Sequence, residues 1–330
     1  MDPAPALQWR PVAPADVPAM TAMLADIEQA DQYGWHFGAD FLALWLADPL
    51  IDLARGSIAA FDAGRMVALG VLAARVEADP VHAMHYEGGV HPAYRGRGLG
   101  TALLDWAAAA AGPLHADRFA GQPLTVQCGF PVADRAAAEL FERHGFAPVR
   151  YFRKMTRGLD GGDLPPVRVP DGIEIVPYRA DLDEPMRVAK NEAFREHWDV
   201  TPSTPEAWRS LFTGAEFRPA LSPLAVSAGT GQIVGLIVTH ESEAETAATG
   251  RPDAHLNNVG TLPQARGRGV ATALIATMLR AARDEGYATA SLDVDSANPT
   301  GAIGVYEKSG FAVVDTWVTY ARPIPVTVGG

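Results

Sequence analysis

Cysteine is nearly absent from this chain: Cys128 is the single thiol among 330 residues. One thiol cannot close an intramolecular disulfide, and it cannot supply a cysteine-based zinc site. We read Cys128 as a small buried residue. Basic residues are also scarce, with 27 Lys and Arg against 39 Asp and Glu and a formal charge of −12. Nucleic-acid phosphates demand a net basic face, so no nucleic-acid partner is expected. No apolar run approaches a membrane span; the alanines of 107–111 are too few, so no membrane partner is expected either. The opening "MDPAPALQWRP" has no basic region followed by an apolar one. That predicts no secretory leader and a cytoplasmic protein. His82, His85 and His91 lie close in sequence, but strand spacing scatters them over two faces, so no metal is expected.

What the chain does have is a repeat. Its length suits two domains, and 48% hydrophobic residues provide a core for each. The order β–α–α–β–β–β–turn–α–β–α–β occurs twice. Val-, Ile- and Thr-rich runs of strand length mark the strands. Leu274, Met278 and Leu279 recur at helical spacing. The repeat predicts an N-terminal domain over 1–157, a Gly/Pro-rich linker over 158–172 and a C-terminal domain over 173–330. The helix after the first turn is expected to end near Ala111. Glu241 to Asp253 reads as a polar loop or hairpin, and 206–212 as helical.

Each half carries the same turn between a strand and a helix: "YRGRGLGT" from Tyr94 and "ARGRGVAT" from Ala265. Glycines let backbone approach a ligand closely. The opening turn of a helix offers unpaired N–H groups and a positive dipole end. Arginines add charge and forked donors. Together these predict an anion site, most naturally for a pyrophosphate. Its residues are Arg95, Gly96, Arg97, Gly98, Leu99, Gly100 and Thr101 in one half. The other half has Arg266, Gly267, Arg268, Gly269, Val270, Ala271 and Thr272. The P-loop pattern is missing, and the GxGxxG spacing is not met.

"GVHPAYRGRGLG" and "GTLPQARGRGVA" resemble the acetyl-CoA motif of the GNAT N-acetyltransferases. "NPTGAIGVYEKSGF" resembles that family's Asn…Ala…Tyr-x-x-x-Gly-Phe segment. The layout, with "NEAFREHW" of Asn191 to Trp198, is similar to tandem GNAT proteins of actinobacterial type. The resemblance implies an α/β fold of two tandem GNAT domains, each a mixed, mostly antiparallel sheet flanked by helices. It implies acetyl-CoA as cofactor, with Asn298 near it and backbone N–H groups close to Val259 and Thr261 (Val90 in the first half) polarising the thioester carbonyl. It also implies that Tyr306 protonates the departing thiolate. A tyrosine with pKa near 10 holds its proton for that task. Aligning Gly145-Phe146 with Gly310-Phe311 sets Phe141 opposite Tyr306 and Ala133 opposite Asn298. The N-terminal half is therefore expected to be catalytically degenerate, with Glu87 and His85 lining a vestigial pocket.

The expected reaction is acetylation of a small-molecule amine by direct attack on the thioester. A general base is needed; His255 and Glu241 are the candidates, with Glu243 behind them. Asn257, Asn258 and Trp198 are candidate acceptor contacts, and the stretch around Trp198 and Trp208 suits a cationic acceptor. The competing readings are a non-catalytic acyl-CoA-binding or regulatory protein, a protein or peptide N-acetyltransferase, and a transferase of longer acyl chains. A monomer with an internal pseudo-dimer of domains is expected.

Overall fold

The computed structural model describes residues 7–326 except 76–77, 79–80, 199, 201, 207, 210–215 and 299–300. In chain order the elements are β1 (Gln8–Arg10), α1 (Val17–Asp31), α2 (Ala39–Leu46), β2 (Ser57–Asp62), β3 (Arg65–Ala74), β4 (His82–Val90), α3 (Leu99–Phe119), β5 (Leu124–Pro131), α4 (Arg135–Arg143) and β6 (Ala147–Gly158). Then follow β7 (Ile173–Val176), α5 (Asp183–Ala193), β8 (Leu224–Ser227), β9 (Ile233–His240), α6 (Glu243–Thr249), β10 (Asp253–Thr261), α7 (Val270–Asp284), β11 (Thr289–Asp295), α8 (Ala302–Lys308) and β12 (Ala312–Ile324).

The chain folds as two compact units, but they do not follow the expected division at 158–172. Unit 1 is residues 1–150 with 317–330, and unit 2 is residues 151–316. The difference lies in the two long terminal strands. Trp317 to Ile324 of β12 pair antiparallel with β5 and complete unit 1. Phe152 to Gly158 of β6 pair antiparallel with β11 and complete unit 2. "FAPVRYFRKMTR" and "FAVVDTWVTYAR" have near-identical patterning, so alternation cannot say which sheet receives which strand. Leu159 and Leu164, in the expected linker, are buried in the core of unit 2.

Within unit 1 the strand order is β1-β2-β3-β4-β5-β12, and within unit 2 it is β7-β8-β9-β10-β11-β6. In each, one pair is parallel, β4 with β5 and β10 with β11; the other pairs are antiparallel. This is the expected mixed, mostly antiparallel sheet. β9 is buried along almost its whole length because helices cover both faces, so it reads as a continuous apolar run. Helix α7 buries Val270, Ala273, Leu274, Met278 and Leu279, the i, i+3, i+4 stripe that holds it on the sheet. It comes close at Gly235, where a Cβ would stand 2.7 Å from Val270 Cγ1.

Two local expectations are corrected. Helix α3 runs past Ala111 through Pro113 to Phe119, because Ala107, Ala111 and His115 keep one buried face. Pro113 removes one donor without ending the helix. The polar segment from Glu241 holds the short helix α6, capped by Ser242, whose Oγ accepts from the Glu245 N–H. Part of the expected helix over 206–212 lies outside the described residues.

Candidate active site

The two turns are built alike. Gly267 and Gly269 have φ of +73° and +90°; Gly96 and Gly98 have +72° and +82°. A side chain at such φ costs about 1–2 kcal/mol, so glycine is the natural choice. Gly269 and Gly98 are the N-caps of α7 and α3, and neither helix has a side-chain cap. The first bonds inside these helices run from the Ala273 N–H to Gly269 O and from the Ala102 N–H to Gly98 O. The N–H groups of Val270, Ala271 and Thr272, and of Leu99, Gly100 and Thr101, therefore precede the helical ladder and remain available to an anion. No atom lies within 4 Å of a Cβ built on Gly267 or Gly269, so the approach to the turn is open.

The arginines do less than their charge suggests. Arg266 Nε donates to Thr261 O, its Nη1 pairs with Glu196 at 2.9 Å, and its Nη2 donates to Ala193 O. Arg95 makes the matching set: Nε to Val90 O, and two bonds of 2.7 and 2.6 Å to Asp31. Both guanidinium groups brace the turn against the unit's first helical layer rather than face a phosphate. Arg268 reaches Asp171 O, and Arg97 reaches Ala93 O and lies over the Tyr94 ring. Any anion at the turn would therefore meet backbone amides.

Beside each turn the parallel pair separates. β10 follows β11 from Asp253 to His255, opposite Thr289 to Ser291, and pairing ends there. β4 follows β5 from His82 to His85, opposite Leu124 to Gln127, and ends likewise. The Leu262 N–H donates to Val234 O in β9. Alternation along the strand then turns the Val259 and Thr261 N–H groups away from β9, toward the gap left by β11. Thr261 Oγ1 is buried there without a hydrogen-bond partner among the described residues.

The two units differ in strand register and in their buried aromatic residues. In unit 2, the β9–β10 register shifts between Leu256 and Asn258, a bulge that makes Asn257 the extra residue. Tyr306 of α8 is buried, and burial pushes its phenol up to about 12. It therefore stays protonated at neutral pH. Its ring meets Phe311 edge-on. In unit 1, β3 and β4 pair without a register shift. Tyr86, Phe130, Phe141, Phe146 and Tyr320 pack as an aromatic cluster, with Phe141 ring centroids 5.2 Å from Phe130 and 5.1 Å from Phe146.

The base candidates separate clearly. Glu241 is committed elsewhere: Oε2 accepts from Arg218 Nε at 2.8 Å and Tyr287 Oη at 2.7 Å, and Oε1 accepts from Thr246 Oγ1. Those bonds outweigh burial and hold its carboxyl below the usual range, which makes it a poor proton acceptor. Glu243 is largely exposed on α6. His255 stands on β10 at the point where the gap opens, with Nδ1 3.0 Å from Ser291 Oγ and Nε2 3.9 Å from Asp293. Asn258, two places beyond Leu256 across the bulge, pairs with Val238, while His255 pairs with His240. That register puts Asn258 and His255 on one face. Asn257 is exposed at the bulge. Asn298 follows β11 and is held by its N–H to Asp295 O. Trp198 packs at 6.2 Å from the Phe152 ring. Trp208 is fully buried and donates to Asp183, so it belongs to the core and not to an acceptor surface.

Sequence reasoning missed Asp253, Ser291 and Asp293. The alternation in "TASLDVD" could have found the last two, because it puts Thr289, Ser291 and Asp293 on the face opposite buried Ala290, Leu292 and Val294. The three histidines that lie close in sequence are dispersed: His82 contacts His115, His85 contacts Arg75, and His91 contacts Asp26 and Arg65. No metal-ligand cluster occurs among the described residues. Glu87 of the expected vestigial pocket is exposed on β4. Among the described residues no helix is long and apolar enough to cross a membrane.

Comparison with known proteins agrees with this architecture. Residues 184–311 match the acetyltransferase (GNAT) family, and residues 55–148 match an acetyltransferase (GNAT) domain. The mycothiol acetyltransferase of Saccharomonospora viridis is 33% identical over 235 residues, covering 71% of this chain and 72% of that protein. The mycothiol acetyltransferase of Streptomyces coelicolor is 28% identical and covers 94% of this chain and 92% of that protein. Among solved structures, a GCN5-related N-acetyltransferase from Sphaerobacter thermophilus has a TM-score of 0.76 at 28% identity, covering 97% and 96% of the two chains. A tandem GNAT protein of the clavulanic acid biosynthesis pathway shares the fold, with a TM-score of 0.72 at 18% identity and coverage of 98% and 100%.

Proposed function

The chain belongs to the GNAT family of N-acetyltransferases, and from that premise we propose that it acetylates the amine of a small molecule, using acetyl-CoA, in unit 2. The observation that carries this reading is the open gap between β10 and β11. The uncapped start of α7 follows β10 beside it and His255 stands where it opens, while Tyr306 is buried in the same core. The amides of Gly267 to Thr272 fit a pyrophosphate, since their approach is open. When bound, acetyl-CoA supplies the activated acetyl group as a thioester. The Val259 and Thr261 N–H groups would donate to its carbonyl oxygen as negative charge grows there. The orphaned Thr261 Oγ1 on the same strand adds a polar contact.

The residues then divide the proton work. His255 takes one proton from the incoming ammonium, which frees the nitrogen lone pair to form the C–N bond. Tyr306 gives its proton to the sulfur as the C–S bond breaks. The second proton shed by the nitrogen restores Tyr306, and the His255 proton passes to solvent. One proton is released per turnover, as the net reaction requires. The names of the relatives favour a small-molecule acceptor over a protein or peptide. Unit 1 keeps the turn without the acid. We read the chain as a cytoplasmic monomer.

The test is thiol release from acetyl-CoA across a panel of small amines, mycothiol-related ones first. Turnover that disappears in Tyr306→Phe, with acetyl-CoA binding retained by calorimetry, is expected. Cofactor binding without turnover on any amine would favour the acyl-CoA-binding reading instead.

A further inference from the structure

The following rests on the reading of unit 2 as an amine acetyltransferase. We propose that Asp253 and Ser291 fix the tautomer of His255 so that Nε2 is its basic nitrogen, and that Asp293, beside Nε2, seats the ammonium of the acceptor.

The hydrogen bonds have one consistent direction. An ionised Asp253 can only accept. Its Oδ1 accepts from Thr289 Oγ1 at 2.5 Å, and its Oδ2 accepts from Ser291 Oγ. The single hydroxyl proton of Ser291 is thereby committed to Asp253. Ser291 Oγ can meet His255 Nδ1, 3.0 Å away, only as an acceptor. Nδ1 therefore carries the proton, and in the neutral ring the lone pair lies on Nε2. Ser291 is buried, so water does not readily replace it as partner. Asp253 and Ser291 are positioning residues: they touch the imidazole, not the substrate.

Nε2 faces Asp293 Oδ2 across 3.9 Å. That is too long for a hydrogen bond. A nitrogen placed at about 2.8–3.0 Å from both atoms fits between them. An alkylammonium there gives one N–H to the carboxylate and aims another at the Nε2 lone pair. The proton then moves to Nε2, the N–H electron pair stays on nitrogen, and the imidazolium is balanced by Asp293. The charged and titratable groups around this point favour a cation. His240 of β9, opposite His255, is held neutral by burial, its pKa pushed down to about 4. Asp253 of β10, Asp293 of β11 and Asp315 of β12 outnumber Lys154 of β6, which stands opposite Asp293.

Unit 1 provides an internal control. By pairing register, its His85 occupies the position of His255, since each is the last paired residue before the gap. Register then sets Gln127 at the place of Ser291 and Ala83 at that of Asp253. Two residues on along the strand, Gly129 takes the place of Asp293. Arg75 Nε donates to His85 Nε2 at 3.2 Å, which occupies the lone pair that His255 keeps free. The histidine survived in unit 1 and its relay did not.

The test combines tautomer and kinetics on the full chain. Nitrogen-15 NMR of the imidazole should show His255 as the Nδ1–H tautomer in the wild type and in Ser291→Thr, and a mixture in Ser291→Ala. Asp293→Asn should raise the KM for the amine about tenfold or more, as loss of a charged hydrogen bond predicts. Its KM for acetyl-CoA should stay within about twofold of wild type, because Asp293 meets the acceptor and the imidazolium and not the cofactor. An Nε2–H tautomer in the wild type, or an unchanged amine KM in Asp293→Asn, overturns the proposal. Failure of every amine to turn over would sink the acetylation reading separately, while the wild-type tautomer still decides the relay.

Discussion

Unit 1 and unit 2 share a turn to within a few degrees at Gly96 and Gly267 and part company in the gap beside it. The backbone that would hold a pyrophosphate is the same in both. The gap beside it is not. Unit 2 has a bulge at Asn257, a phenol at Tyr306 and a histidine with one nitrogen free. Unit 1 has straight pairing, Phe141 inside an aromatic cluster and a histidine engaged by Arg75. Anion binding needs only main-chain amides at a helix start, so it tolerates change in surrounding side chains. Proton transfer needs particular side chains at particular places, so a few substitutions remove it.

The largest effect that can test this contrast is removal of the acid. Tyr306→Phe should lower kcat by about 10²–10⁴-fold, the usual worth of general acid catalysis, with little change in acetyl-CoA affinity. Phe141→Tyr should give unit 1 no activity, because Arg75 still occupies His85. Next comes the base: His255→Ala should cost about 10²-fold in kcat/KM and erase the acidic limb of the pH–rate profile, while His85→Ala leaves both unchanged. A retained acidic limb in His255→Ala would return the role to another residue.

Smaller in size is the turn. Gly269→Ala, at φ +90°, carries a strain of about 1–2 kcal/mol and should raise the KM for acetyl-CoA about tenfold. Gly98→Ala should leave turnover alone. The smallest effect separates the units by acid. Burial lowers His82 and His85 of unit 1 to about 4, and His240 of unit 2 to about 4. For each the folded pKa lies below the unfolded value of about 6.5. The unfolded state then binds more protons, so stability is full above pH 6.5 and falls as the pH drops toward 4. Burial also lowers His197 of unit 2, by less; with two large shifts against one, unit 1 should unfold first on acidification, read by hydrogen exchange. Simultaneous loss of both units would contradict it.

The repeat and the two turns were legible in the sequence because glycine spacing and apolar periodicity encode local backbone, while the mixed sheets were implied only by the resemblance of those turns to a known family. The exchange of β6 and β12 was not legible, since both strands carry the same alternation and pairing partners are set by distant residues. The site was partly legible. Tyr306 stood out against Phe141 because the two helices align without a gap. The equivalence of His85 and His255 was hidden by the bulge: counting back from the turn puts His85 opposite Leu256, and only the strand register corrects the count. Glu241 looked as good as His255 until its bonds to Arg218 and Tyr287 were in view. Asp293 went unnoticed because a carboxylate in an alternating strand reads as a solvated face.

The central claim is that unit 2 alone performs the chemistry, and the most direct measurement is thiol release by a Tyr306→Phe, His255→Ala double variant whose unit 1 is untouched. The account predicts release at the uncatalysed rate with acetyl-CoA still bound. Turnover retained near the wild-type rate would place the chemistry in unit 1 and contradict it.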